Sequence, residues 1–201
     1  MSKTICLALT GASGMPYGLR LLECLLGAGC KVQLLYSQAS QIVARQEMDF
    51  DLPSRPTDAR NLLLARYPAV NPEKLAVFGR EEWFAPVASG SNPPDAMVIC
   101  PCSMGTLAGI AQGLSDNLIE RAADVVLKES RKLILVPRET PYSQIHLENM
   151  LGLSRAGAII LPPNPGFYHH PKSVEDIVDF VVARILDQLG VPHNLMQRWG
   201  E

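Results

Sequence analysis

The stretch TICLALTGASG, Thr4 to Gly14, decides the fold. Its apolar run from Ile5 to Leu9 lacks the polar alternation of a half-solvated strand, so Thr4–Thr10 reads as a strand buried on both faces. Gly11 and Gly14 then permit a tight turn, and Gly14–Ala28 has the pattern of a helix. A buried strand that turns through glycines into a helix is the opening unit of a parallel α/β sheet.

The rest of the chain repeats that alternation. Val32–Tyr36, Ala96–Cys100, Leu133–Val136 and Ala158–Leu161 read as further buried strands. Gln38–Glu47, Ser103–Gln112, Asn117–Ser130, Ser143–Ala156 and Ser173–Leu189 read as the helices between and after them. This order implies a doubly wound parallel sheet with helices on both faces, a three-layer α/β fold. Asp51–Pro94 is less regular, with prolines spread around one helical stretch near Thr57–Arg66, and it reads as an elaboration on the sheet. With 201 residues and 47% hydrophobic content, one domain over residues 1–201 is expected.

Charged residues make up 19% of the chain and the formal net charge is -2, so no basic surplus points to nucleic acid or to a membrane surface. The N-terminal apolar run is too short for a signal core or a membrane span, and a cytoplasmic protein is expected. Cys6, Cys24, Cys30, Cys100 and Cys102 are an odd set, and Cys6 and Cys100 fall in strand segments where a thiol behaves as a small apolar side chain. Reduced thiols are expected. Cys100-Pro101-Cys102 has neither CxxC spacing nor a second ligand pair, and the adjacent His169 and His170 make a poor chelate.

Thr10-Gly11-Ala12-Ser13-Gly14 sets backbone N–H groups at a positive helix terminus, where a phosphate can sit, although a structural turn explains the glycines equally. As a GxGxxG motif it is incomplete, with Ser13 at the second glycine and Pro16 at the third. The second strand ends Leu35-Tyr36-Ser37, without the acid that grips a dinucleotide ribose, so a mononucleotide is expected over NAD. Pro101-Cys102-Ser103-Met104-Gly105-Thr106 forms another strand-to-helix junction, fit for a helix cap or for a ligand. Loops at Ser13, Ser37 and Ser103 all follow strands, and open α/β sheets bind ligands beyond the carboxyl ends of strands. Leu133–Val136 runs into Pro137-Arg138-Glu139, which adds a cation on the same side.

Two helices carry cations beside an apolar stripe. Arg121 and Lys128, seven apart, lie two turns along one side and flank Leu118, Ala122, Val125 and Val126. Arg184 borders the stripe of the last helix, formed by residues such as Val178, Val181 and Ile185. A solvated face accounts for these cations, and so does an anion held between subunits.

Longer motifs narrow the reading: TGASG (10–14), SGS (89–91), CPCSMGT (100–106), DNLIERAADVVLKE (116–129), LVPRETPYS (135–143), HLENM (146–150), PGFYHHP (165–171) and RWG (198–200). Through them the chain resembles the UbiX family of flavin prenyltransferases over nearly its whole length. The resemblance implies a Rossmann-like or flavodoxin-like fold and a homo-oligomer, a trimer-based dodecamer, with active sites between subunits. By motif, Gly11, Ala12, Ser13, Ser37, Ser103, Met104, Gly105, Thr106 and Arg138 would hold FMN, while Tyr168 and Arg184 would hold dimethylallyl phosphate. Arg121, Lys128 and Glu139 would complete the phosphate site from an adjoining chain, with Glu47, Trp83 and Trp199 as further active-site positions.

The implied reaction joins dimethylallyl monophosphate to N5 and C6 of reduced FMN, closes a fourth ring, and passes prenylated FMN to a separate decarboxylase. Lys128, Arg184 and Arg121 suit a departing phosphate, and Trp83, Trp199 and Tyr168 can offer π faces to an allyl cation. Glu139 can protonate the phosphate, while the base for the C6 proton is the released phosphate or Glu47. Asp49 and Asp51 are the one close aspartate pair, so no metal is expected. A cysteine decarboxylase of the same fold is a rival, but it calls for a His after the first helix, and the first histidine here is His146. A non-catalytic FMN carrier is another, and it would give no new flavin species.

Overall fold

Complete burial of Ile5, Cys6, Leu7, Ala8 and Leu9 marks β1 (Thr4–Leu9) as the centre of the sheet. The computed structural model describes residues 2–197 and 200. After β1 come α1 (Met15–Gly27), β2 (Lys31–Tyr36), α2 (Gln38–Met48), α3 (Pro56–Arg66) and β3 (Leu75–Phe78). The second half runs β4 (Ala96–Cys102), α4 (Met104–Ala111), α5 (Leu118–Lys128), β5 (Lys132–Pro137), α6 (Gln144–Arg155), β6 (Ile159–Ile160) and α7 (Val174–Leu189). All neighbouring strands are parallel, in the order β3-β2-β1-β4-β5-β6. The strand order reverses between β1 and β4, which makes their carboxyl ends the switch point of a doubly wound sheet.

Alternate side chains of β1 serve two cores. Ile5, Leu7 and Leu9 pack with residues of α1, α2, α3 and α7, while Cys6 and Ala8 pack with residues of α4, α5 and α6. One expected feature is corrected: the irregular segment 51–94 supplies the edge strand β3, paired from Val32↔Leu75 to Leu35↔Phe78. Only Leu75 of that strand is buried, so its sequence lacks the continuous apolar signature of the inner strands. Among the described residues no helix is long and apolar enough to cross a membrane.

Two local features shape the switch point. Register shifts between Ile99 and Cys102 on β4, and this irregularity changes the alternation of side chains. Cys100 consequently enters the core beneath α1 and α7, whereas Cys102 enters the core beneath α4, α5 and α6. Their thiols therefore face opposite sides of the sheet. The second feature is Gly18 on α1, where a Cβ would lie 2.5 Å from the Cys100 carbonyl oxygen and 2.6 Å from Leu9 Cδ2. Gly18, one turn beyond Gly14, thus permits the close helix-to-strand packing that the incomplete glycine motif left unassigned.

Candidate functional site

Three strand ends converge at the switch point, and hydrogen bonds tie them together. Thr10 Oγ1 donates to the Pro101 carbonyl and accepts from the Ser103 N–H, both at 2.8 Å. Ser103 in turn caps α4: its Oγ accepts from the Thr106 N–H at 3.2 Å and donates to Thr106 Oγ1 at 3.0 Å. Ser37 caps α2 through the Ser40 N–H at 3.1 Å, and Asn117 caps α5 through the Ile119 and Glu120 N–H groups. These caps leave a cleft of about 290 Å³ walled by Gly11, Ser37, Ser103, Gly105 and Thr106 together with Arg80, Asn117 and Glu120. Gly11 lies so close to α2 that a Cβ there would come within 2.4 Å of Ala39 Cβ.

A second cleft, about 270 Å³, opens on the other side of the glycine loop, between Ser13, Gly14, Tyr17, Arg138, Glu139 and Tyr142. Arg138 Nε is buried there without a hydrogen-bond partner among the described residues. A buried guanidinium nitrogen with no acceptor suits an anionic or carbonyl-bearing ligand. Burial raises the Tyr17 phenol, with Cys100 and Glu47 adding to it, and raises that of Tyr142, with Glu139 adding. Both hydroxyls are therefore proton-bearing donors at neutral pH.

Of the residues expected to hold FMN, the structure brings Gly11, Ser37, Ser103, Gly105 and Thr106 to the first cleft and Ser13 and Arg138 to the second. The side chains of Ala12 and Met104 are buried, so their backbone is what the clefts can meet. Glu139 lies in the second cleft, where its Oε1 accepts from the Thr140 N–H at 3.1 Å. Glu47, at the end of α2, reaches back to α1: its carboxylate accepts from the Gly14 N–H at 3.0 and 3.1 Å and from the Met15 N–H at 2.8 Å. That places a carboxylate on the positive terminus of α1. Glu47 also borders a larger cleft of about 750 Å³, whose Arg20 is held by Asp179 and Glu23, both at 2.7 Å. That cleft runs between α1 and α7 and is closed by Glu47 and Met48 of α2 and by Arg66 and Tyr67 at the end of α3.

The remaining cations divide between the layers. Arg121 binds the Ala88 carbonyl at 3.0 Å and Asp124 at 2.7 Å, and Lys128 pairs with Glu129 at 2.6 Å, so α5 holds both against the loop 86–91. Arg184 pairs with Asp187 at 2.8 Å on α7, where Phe180, one turn earlier, carries the ring of Tyr168. Because α5 and α7 cover opposite faces of the sheet, one chain does not gather these groups. Trp83 is 45% exposed beside the fully exposed Phe84, and Trp199 lies outside the described residues.

Sequence reasoning missed Arg80, Asn117 and Glu120 in the first cleft and Tyr17, Tyr142 and Asn164 in the second. Asn117 alone carried a signal, as a capping residue before the apolar stripe of α5. His146, the first histidine, closes the capping box of α6 by accepting from the Ser143 N–H at 3.2 Å. Its ring also lies edge-on to Tyr142 of the second cleft, with centroids 6.5 Å apart, so it supports the cleft wall from behind that residue.

Residues 1–186 match the Flavoprotein family. The chain is 58% identical to flavin prenyltransferase UbiX of Pseudomonas aeruginosa over 197 residues, which covers 98% of this chain and 94% of that one. Among solved structures it superimposes on AnUbiX (PadA1) in complex with FMN and dimethylallyl pyrophosphate with a TM-score of 0.88 and 39% identity, covering 100% and 99% of the two chains. A dodecameric FMN-dependent UbiX-like decarboxylase from Escherichia coli O157:H7 gives a TM-score of 0.86 at 42% identity, over 98% of this chain and 100% of that one. Likeness of this extent, joined to paired clefts at the β1–β4 switch point, makes the chain a member of the UbiX family of flavin prenyltransferases.

Proposed function

We propose that the chain joins the dimethylallyl group of dimethylallyl monophosphate to N5 and C6 of reduced FMN, in an assembly whose neighbouring subunits complete each site. Transfer of a dimethylallyl group to FMN is the activity this family membership carries. The observation that supports the finer reading is the pair of clefts on either side of the Thr10–Gly14 loop, one rich in capped helix termini and the other holding the unpartnered Arg138 Nε. As the substrate, reduced FMN supplies nucleophilic N5 and C6.

The chain contributes orientation and charge. Backbone N–H groups of Gly11, Ala12 and Ser13 and of Met104 and Gly105, with Ser37, hold the phosphate of FMN, while the Gly14, Ser103 and Thr106 N–H groups stay committed to Glu47, Thr10 and Ser103. Arg138 meets the flavin from its buried position. Arg121 and Lys128 from one subunit, with Tyr168 and Arg184 from another, neutralise the leaving phosphate as its charge grows. The placement of α5 and α7 on opposite layers of a single chain supports drawing these groups from two subunits. Trp83 and Trp199 offer π faces to the allyl cation and shield it from water. The N5 proton is lost as the N5–carbon bond replaces the carbon–oxygen bond to phosphate, and Glu139 gives a proton to the departing phosphate. Ring closure then places a proton on the middle carbon of the allyl unit while the C6 proton leaves to that phosphate or to Glu47. Prenylated FMN then passes to a separate decarboxylase.

The deciding experiment mixes anaerobic protein, reduced FMN and dimethylallyl monophosphate, then measures the flavin mass after denaturation. A gain of C5H8 with release of phosphate is the expected result. Unchanged flavin would leave a carrier, and the proposed transfer would be wrong.

A further inference from the structure

The loop Pro165–Pro171 delivers Tyr168 to α7 through three rings. His169 stacks on Phe180, with centroids 5.2 Å apart and planes 14° from parallel. Tyr168 meets both edge-on, 5.8 Å and 79° from His169 and 5.8 Å and 75° from Phe180. Phe180 is buried in the core, so it is the fixed member of the three, and Arg184 follows it by one helical turn on the same face. Gly166 lets the loop come this close: a Cβ there would lie 2.7 Å from Tyr168 Cε1 and 3.0 Å from Phe180 Cζ.

His169 is unusual in this group. Both ring nitrogens are buried and meet no hydrogen-bond partner among the described residues. An imidazole whose nitrogens are enclosed offers its neighbours a flat aromatic face, and burying the nitrogens unpartnered opposes stability. Tyr168, in contrast, is 50% exposed. The half-buried His169 and the buried Phe180 thus form a platform, and the exposed ring is what it presents.

We propose that His169 is a positioning residue for prenyl transfer: stacked on Phe180, it fixes the ring of Tyr168 beside Arg184, acting through its face and not through a nitrogen. This rests on reading Tyr168 as a ligand of the prenyl phosphate.

The test compares wild type, His169→Ala, His169→Phe and Tyr168→Ala for FMN affinity, for Tm, and for kcat/KM with dimethylallyl monophosphate per flavin-loaded chain. His169→Ala keeps FMN affinity but loses about tenfold in kcat/KM, chiefly through KM, because the ring it supported is misplaced. His169→Phe keeps the stack, recovers kcat/KM to within about twofold, and melts no lower than wild type because two unpartnered nitrogens are gone. If His169→Phe is as impaired as His169→Ala, a nitrogen is at work and the proposal is wrong. An unimpaired His169→Ala sinks it as well. Wild-type kcat/KM in Tyr168→Ala, or no transfer by wild type, overturns the underlying reading of the site and this proposal together.

Discussion

The Thr10 hydroxyl accepts the Ser103 N–H at 2.8 Å and thereby fastens the end of β1 to the end of β4. Thr10 is completely buried, so its replacement by valine strands that N–H away from water. Thr10→Val should lose about 1–3 kcal/mol in urea unfolding and weaken FMN binding. Thr10→Ser keeps the hydroxyl and should lose distinctly less. Equal losses in the two variants would show that the hydrogen bond is not what matters.

Gly18→Ala should also destabilise, by about 1–3 kcal/mol, since its Cβ meets a backbone carbonyl that a rotamer change cannot relieve. Gly152→Ala provides the contrast, because nothing lies within 4 Å of a Cβ there and the site is an exposed position on α6. It should stabilise by roughly 0.5–1 kcal/mol. Thermal melts of the two variants with opposite signs would bear out the reading.

Lys128→Ala and Arg184→Ala should each keep FMN while prenyl transfer falls by about 10²-fold or more, as for loss of one electrostatic donor in a water-excluded site. Mixing the two variants under conditions that exchange subunits should restore part of the activity. Full activity in either single variant would remove that residue from the phosphate site.

The thiols set a pH dependence. Burial pushes Cys24 up to about 11 and Cys102 up to about 12, and raises Cys6 and Cys100 further, from an ordinary value of 9.0. Above about pH 9 the unfolded chain releases protons that the folded chain retains, so stability that is whole below that pH declines as pH rises. Urea midpoints should be flat from neutral pH to about 8 and fall beyond 9. Replacing Cys102 with Ala should flatten part of that fall, and an unchanged slope would count against this origin.

Among the described residues no three of His, Cys, Asp or Glu gather as a ligand set. Turnover should survive EDTA, because the proposed phosphate site places the cations Arg121, Lys128 and Arg184 where Mg²⁺ would otherwise neutralise the leaving group. Loss of activity in EDTA that Mg²⁺ restores would contradict the proposed metal-independent departure of phosphate.

How legible the molecule is from its residues depends on the range of the interaction concerned. β1, β2, β4 and β5 announce themselves because burial on both faces leaves continuous apolar runs. β3 does not, since an edge strand in a proline-rich segment buries only Leu75. Glycines and hydroxyls just past strand ends made the loops at Ser13, Ser37 and Ser103 readable. Contacts between distant segments were opaque: nothing local says that Glu47 folds back on Gly14 or that Gly18 touches the Cys100 carbonyl. The shift in alternation on β4 is equally hidden, because the sequence Cys100-Pro101-Cys102 by itself puts both thiols on one side.

The central place of β1 has a consequence for synthesis. Its first edge is taken by β2, which ends at Tyr36, but its second edge waits for β4, which starts at Ala96. At roughly 5–20 residues per second, a ribosome needs about three seconds or more to deliver that partner. For this interval the nascent chain carries an open, apolar strand edge, a template for unwanted pairing. Until Ala96–Cys102 emerges, the first half of this molecule therefore has to fold around a central strand with one edge unpaired.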